Sequence, residues 1–505
     1  MRLRTRVLIA AALFLFPTGS ATAETYDPSD LSAVQVFEHA RAARGSLENG
    51  TYKQIQHLHV GGVDRTSTTY LSGKDWRTTV EGGGYTEAYG FYQGKHWRQN
   101  DNGIVVLQSD FRAKVDPNVL ALDHPEDPHY RVRALGLTQS EPREYVVEAN
   151  PPAGSDQYRY YNAKTFLLDR VVTFTKDRYR HVTEYGDYRP VFGETLAFRV
   201  HSYDGRPQND DLTTTISVEK TTQEISLALP PSRPLFQITG DTPIVLPARF
   251  TPSGIILRAV VNGRGLDFLL DSGASALFID PGVAHDLGLT PYGRLSTTVG
   301  GGDVDEGRVR IPEMSIGTLA LHDVVLFTTP HNVQTDGARI IGLIGFDLLA
   351  SAVTEIDFKA KTVTVYPRTA FNPDALGLRA LPLELDDGIP RVMASIEHVP
   401  GAFLLDTGAF AMLAYRNYVD KLPAAPIESL NYRIGTVGGP MDAQLHDVTD
   451  FEFAGVDFRT AQIIVPNRST FDITDYDAII GRNALSDYRI YFDYANRTLY
   501  VKPNL

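Results

Sequence analysis

An apolar run that closes on an acid, a hydroxyl residue and a glycine occurs twice in this chain. The copies are Phe268-Leu269-Leu270-Asp271-Ser272-Gly273-Ala274 and Phe403-Leu404-Leu405-Asp406-Thr407-Gly408-Ala409. The apolar part has the length and composition of a buried strand. A carboxylate at the end of such a strand is costly unless it is used or satisfied. The surroundings repeat as well. Gly254 and Gly388 open the strands that lead to the acids, Val299-Gly300-Gly301 matches Val437-Gly438-Gly439, and Leu343-Ile344-Gly345 matches Ile479-Ile480-Gly481. Ile356-Asp357-Phe358 matches Phe492-Asp493-Tyr494, and the five landmarks recur 134 to 138 residues apart. A repeat of that period fixes architecture before any single residue does. It predicts two copies of one β-rich lobe, about 236–372 and 373–505, whose acidic loops are built to meet.

At 505 residues the chain is too long for a single core. Arg2, Arg4 and Arg6 precede an apolar run from Val7 to Phe16, and Ala21-Thr22-Ala23 has the small-x-small pattern of a cleavage site. Residues 1–23 therefore read as a Sec-type signal peptide, with a retained signal anchor as the alternative; the apolar run is too short to span a bilayer. Its removal takes three positive charges and no acids, moving the formal charge from −13 to −16. Such acidity disfavours nucleic acid and anionic membrane surfaces. The chain has no cysteine, which excludes disulfides, thiol chemistry and a lipidated cysteine anchor. The expectation is a periplasmic or secreted monomer held together by large apolar cores.

Residues 24–235 begin with a helical pattern over Leu31 to Arg44. Short Tyr-, Thr- and Val-rich segments come next: Tyr52–Val60, Ser67–Leu71, Trp76–Val80, Tyr85–Tyr92, Ile104–Leu107, Tyr145–Ala149, Gln157–Asn162, Leu167–Thr175, His181–Tyr188, Glu194–Tyr203 and Leu212–Lys220. Gly61-Gly62, Gly82-Gly83-Gly84 and Asn100-Asp101-Asn102-Gly103 punctuate them. The pattern predicts an antiparallel sheet with one wet face. His57, His59, His96, His129, His181 and His201 are scattered without metal-ligand spacing. The run from Tyr160 to Val200, with its Asn-Ala-Lys-Thr-Phe-Leu-Leu and Tyr-Gly-Asp-Tyr-Arg-Pro-Val-Phe-Gly pieces, resembles the later strands of the LolA-like lipoprotein-carrier half-barrel. That resemblance implies a curved sheet around a helix, with an apolar groove. Pro230-Pro231-Ser232-Arg233-Pro234 marks a stiff boundary before the repeated lobes.

Asp-Ser-Gly-Ala-Ser and Asp-Thr-Gly-Ala, each trailed about 75 residues later by Ile-Gly, resemble the motifs of retropepsin-like aspartic peptidases. The resemblance covers both lobes. It implies a mainly β fold of two tandem acid-protease barrel lobes forming a pseudo-dimer, with an N-terminal antiparallel half-barrel. It also implies Asp271 and Asp406 as a catalytic dyad, Ser272, Gly273, Thr407 and Gly408 as support for the dyad loops, and Ile344-Gly345 and Ile480-Gly481 packed beneath them. The hairpins Leu295 to Val309 and Tyr432 to Val448 correspond to flaps over bound peptide, with Gly300, Gly301 and Gly302 in one and Gly438 and Gly439 in the other; ordinary surface hairpins are the alternative. Gly300-Gly301-Gly302 is no phosphate loop, since the G-x-G-x-x-G spacing and a subsequent helix are missing. No cofactor or metal is expected, and the implied partner is an extended peptide or protein substrate.

The chemistry comes from two acids in contact. Carboxylates about 3 Å apart cannot both ionise and so share one proton. The ionised one activates water and the protonated one donates to the substrate carbonyl. A lone Asp-Thr-Gly is ordinarily an Asx-type turn; only the twinning argues otherwise. Asp357 and Asp493, also twinned, read as structural, and Asp472, Asp475 and Asp477 as a solvated loop. Two features depart from the resembled pattern. Ala274 and Ala409 supply no hydroxyl to the carboxylates, which predicts a working pH from mildly acidic to neutral. Phe410 stands where a small residue is usual, and it either fills an apolar pocket or distorts the second loop. The competing function is a peptide- or lipid-binding protein with a degenerate cleft.

Overall fold

The computed structural model describes residues 25–107, 131–150, 156–174, 180–299, 302–331, 333–386, 388–423, 427–436, 439–458, 461–467 and 476–504. The signal segment, His129, Gly300, Gly301, Gly438, Asp472 and Asp475 lie outside these.

The N-terminal region is one 14-stranded antiparallel sheet. Its two halves join where Asp211–Lys220 pairs with Thr51–Val60, Leu212 opposite His59. The helix runs Ala33–Arg44, capped by Ser32, whose side chain accepts from Gln35 N–H while the Gln35 side chain reaches back to the cap. Its apolar face, Ala33, Val36 and Phe37, packs on Tyr145, Val147 and Tyr161 of the sheet. Tyr85–Tyr92, Gln157–Asn162 and Glu194–Tyr203 are strands with the expected bounds. Two strands of five or more residues, Lys95–Gln99 and Arg131–Thr138, had no sequence forecast. Gly136, at a register shift in its interior, hides the second of these, which is held by its pairing with Glu144–Asn150.

The linker is bound rather than free. Ser232 Oγ accepts from Val105 N–H, Arg233 N–H donates to Gly103 O, and Leu235 N–H donates to Ser351 Oγ. Beyond it lie a nine-stranded sheet spanning Ala248 to Ile344 and a ten-stranded sheet spanning Glu384 to Ile480. A third sheet of six strands contains segments from both halves, with Val353–Asp357 beside Tyr488–Asp493 at its centre. Ile356 pairs with Ile490 there, and both are fully buried. Asp357 and Asp493 serve turns of this sheet: Asp357 accepts from Lys359 and Ala360 N–H and pairs with Arg489, and Asp493 accepts from Asn496. One apolar cluster runs through both halves and takes in Ile104 and Val106 of the N-terminal sheet.

Candidate active site

Each acidic strand lies parallel to the strand that ends in Ile-Gly. In the first half Arg264–Leu270 pairs with Ala338–Ile344, Leu270 opposite Ile344; in the second Val399–Leu405 pairs with Ala478–Ile480, Leu405 opposite Ile480. Asp271 N–H then donates to Ile344 O at 2.9 Å and Asp406 N–H to Ile480 O at 3.0 Å. The glycines after the isoleucines let the loops sit down. A Cβ on Gly345 would lie 2.2 Å from Ala274 O, and one on Gly481 2.2 Å from Ala411 O.

The two loops grip each other. Ser272 Oγ donates to Leu405 O at 2.7 Å and accepts from Thr407 N–H at 3.0 Å. Thr407 Oγ1 donates to Leu270 O at 3.0 Å and accepts from Ser272 N–H at 3.0 Å. Both side chains are fully buried. Each hydroxyl thus satisfies one donor and one acceptor of the opposite loop, groups that would otherwise be buried without partners.

That grip brings the carboxyls of Asp271 and Asp406 within hydrogen-bonding contact. Gly273 N–H donates to Asp271 Oδ1 at 2.8 Å; Gly408 and Ala409 N–H donate to Asp406 Oδ1 at 2.7 and 3.0 Å. Burial, reinforced by the adjoining Asp406, raises the Asp271 carboxyl well above the usual carboxylate range, and the backbone donors offset only part of this. The two glycines make room for the opposing acids. A Cβ on Gly273 would stand 2.8 Å from Asp406 Cγ, and one on Gly408 2.6 Å from Asp271 Cγ.

Phe410 is 43 % exposed. The loop that carries it keeps the bond of its twin: Arg482 N–H to Ala409 O at 2.9 Å, against Phe346 N–H to Ala274 O at 2.9 Å.

The flanking hairpins form as expected. Tyr292–Val299 pairs with Gly302–Ile316, and Ile427–Thr436 with Gly439–Val448, so Gly302 and Gly439 open the return strands.

Two further side chains escaped the sequence reading. Tyr494 is buried near the acids, its ring 5.8 Å from that of Phe346, and its hydroxyl has no hydrogen-bond partner among the described residues. Burial, then the charges of Asp271 and Asp406, holds that phenol far up. The signal was present in the repeat register, where Tyr494 replaces Phe358. Asp347, two residues past Gly345, is fully buried and accepts from Leu277 N–H, Asn100 Nδ2 and Asn102 Nδ2. Burial raises it to about 6 against those donors. Its register twin is Asn483, a substitution also visible in the repeat.

Residues 257–348 match the aspartyl protease family. The match takes in Asp271, its loop, the first hairpin and the Ile344-Gly345 strand. No curated relative matches the chain. Among solved structures, an aspartic proteinase from Irpex lacteus aligns at 13 % identity and TM-score 0.35, covering 52 % of this chain and 97 % of that one. A LolA superfamily protein from Nitrosomonas europaea aligns at 11 % identity and TM-score 0.31, covering 38 % and 96 %. A putative outer membrane lipoprotein-sorting protein domain from Vibrio parahaemolyticus aligns at 13 % identity and TM-score 0.29, covering 38 % and 95 %. Among the described residues no helix is long and apolar enough to cross a membrane.

Proposed function

We propose that the protein is an aspartic endopeptidase that hydrolyses extended polypeptide with Asp271 and Asp406. The observation that carries this is the reciprocal grip of Ser272 and Thr407, which holds two partly buried carboxyls in contact. Such a pair retains one proton between its two carboxyls. The unprotonated carboxylate takes a proton from a water whose oxygen attacks the peptide carbonyl carbon. The protonated acid gives its proton to the carbonyl oxygen, leaving a tetrahedral diol. Collapse breaks the C–N bond as the amide nitrogen receives a proton from the acid that accepted it from water, while one diol hydroxyl returns its proton to the other carboxylate, leaving a carboxylic acid and an amine and restoring the shared proton. Every transfer uses the two acids and water. Substrate lies as a strand beneath the hairpins, main chain bonded to main chain, with pockets reading its side chains.

In this reading residues 1–23 direct export and are removed, 24–235 form one unit, and 236–372 and 373–505 are the two lobes that pair within a single chain. The working form is a periplasmic or secreted monomer. The test is incubation of the purified mature protein with denatured protein between mildly acidic and neutral pH. Cleavage that a pepstatin-like inhibitor stops, and that both Asp271→Asn and Asp406→Asn abolish, supports it. Folded wild-type protein that cleaves nothing across that range, with lipid co-purifying, overturns it in favour of a carrier.

A further inference from the structure

The first hairpin is held from outside the cleft by the N-terminal region. Asn209, at the end of the short turn Pro207–Asn209, lays its side-chain amide along the outer strand Tyr292–Val299. Its Oδ1 accepts from Ser296 N–H at 3.0 Å and its Nδ2 donates to Ser296 O at 3.0 Å. The amide thus supplies what a neighbouring strand would. A second bond runs from Arg294 N–H to Gly61 O at 2.8 Å. Tyr292 meets the Tyr85 ring edge-on at 5.3 Å, and Arg308, on the return strand, pairs with Glu87 at 2.8 Å and Asp101 at 2.9 Å. The Asn209 amide is itself fixed, because Nδ2 also donates to Asp204 Oδ2 at 2.8 Å. Asp204 is nearly buried and is held by Arg206 as well. The second hairpin is tied within its own lobe, through Asn467 N–H to Asp442 O and Gln462 to Asp447.

We propose that Asn209 is a positioning residue: through Ser296 it fixes the first hairpin, so that the N-terminal region is part of the wall that sets how peptide is admitted to the cleft. This rests on the peptidase reading for its meaning but not for its test. Paired strand amides exchange slowly because they open only with the local structure. Losing both bonds to a strand speeds that opening about tenfold.

Hydrogen exchange followed by mass spectrometry on the full mature protein should therefore show residues 292–299 exchanging about tenfold faster in Asn209→Ala. Asn209→Asp, which sets a second carboxylate against Asp204 and an acceptor against Ser296 O, should exchange at least as fast. Peptides from 51–107 and 427–436 should be unchanged in both. In parallel, cleavage of a peptide should show KM raised several-fold in Asn209→Ala with kcat held within about twofold, and no return in Asn209→Asp. Unchanged exchange at 292–299 in Asn209→Ala overturns the proposal, as does acceleration spread evenly over residues 51–107, which marks loss of the whole region. If the wild type cleaves no peptide, the peptidase reading fails while the exchange result still decides the role of Asn209.

Discussion

At Ser272 and Thr407 a single hydroxyl has two obligations to the opposite loop. Ser272→Ala leaves Leu405 O and Thr407 N–H buried without partners. The expected cost is about 2 to 4 kcal/mol, read as a shift in the urea unfolding midpoint, and Thr407→Ala should cost the same by symmetry. Because the two hydroxyls serve one grip, the double variant should lose less than the sum of the single ones, as a double-mutant cycle would show. The acids behave differently. Asp271→Asn and Asp406→Asn each keep the loop shape but remove the shared proton, and kcat should fall roughly 10²- to 10⁴-fold or further with stability retained. Gly273→Ala tests the room left for the opposing acid. Its methyl would press on the Asp406 carboxyl at 2.8 Å, so cleavage should be lost, with binding of a pepstatin-like inhibitor weakened in parallel. Activity with normal inhibitor affinity in Gly273→Ala would contradict that contact.

Among the elements, those with a repeated or strongly alternating pattern were legible. The acidic strands, the strands carrying Ile344 and Ile480, the two hairpins and the helix at Ala33–Arg44 all come from the repeat, apolar runs and helical spacing. Arg131–Thr138 was not legible, because Gly136 interrupts it at a register shift and its pairing with Glu144–Asn150 holds it. The meeting of Asp271 and Asp406 could be inferred from the twinning, and so could the crossed hydroxyls. That the glycines clear space for carboxyls rather than for backbone could not, since only the folded distances reveal it. The clasp of Asn209 on Ser296 left no sequence trace either. An asparagine in a turn rich in Asp and Pro reads as turn chemistry, and its partner stands 87 residues away. Phe410, a large apolar residue in a loop, is 43 % exposed, a degree of exposure that its sequence neighbourhood does not set.

For the molecule as a whole, the junction between the N-terminal sheet and the first lobe carries a buried acid. Asp347 is fully buried and meets Asn100 and Asn102 from the N-terminal region and Leu277 N–H from its own lobe. With a folded value of about 6 against 3.8 unfolded, the folded state holds its proton more tightly. The stabilisation this brings is complete below about pH 3.8 and is lost as pH rises through about 6. The swing amounts to about 3 kcal/mol. Asp347→Asn cannot titrate, so the difference in unfolding free energy between wild type and variant should change by up to that amount between pH 4 and pH 7, in the direction that favours the wild type in acid. A constant difference across those pH values would show that the carboxyl is already ionised throughout. The dyad responds in the same sense. A raised Asp271 keeps its proton toward neutrality, so the pH–rate profile should peak from mildly acidic to neutral pH; a maximum below about pH 3 would contradict this.

The six-stranded sheet has a consequence for the order of synthesis. Its outer strands are Ile244–Leu246 and Arg379–Pro382, and between them lie Tyr488–Asp493 and Thr498–Pro503. Asp406 N–H has no acceptor until Ile480 has been made, and Asp271 has no opposing hydroxyl until Thr407 has. A ribosome that has reached residue 470 has therefore released both acids but no working pair. On the peptidase reading, hydrolytic power arrives late and all at once, only when the strands Ala478–Ile480 and Tyr488–Asp493 have been added.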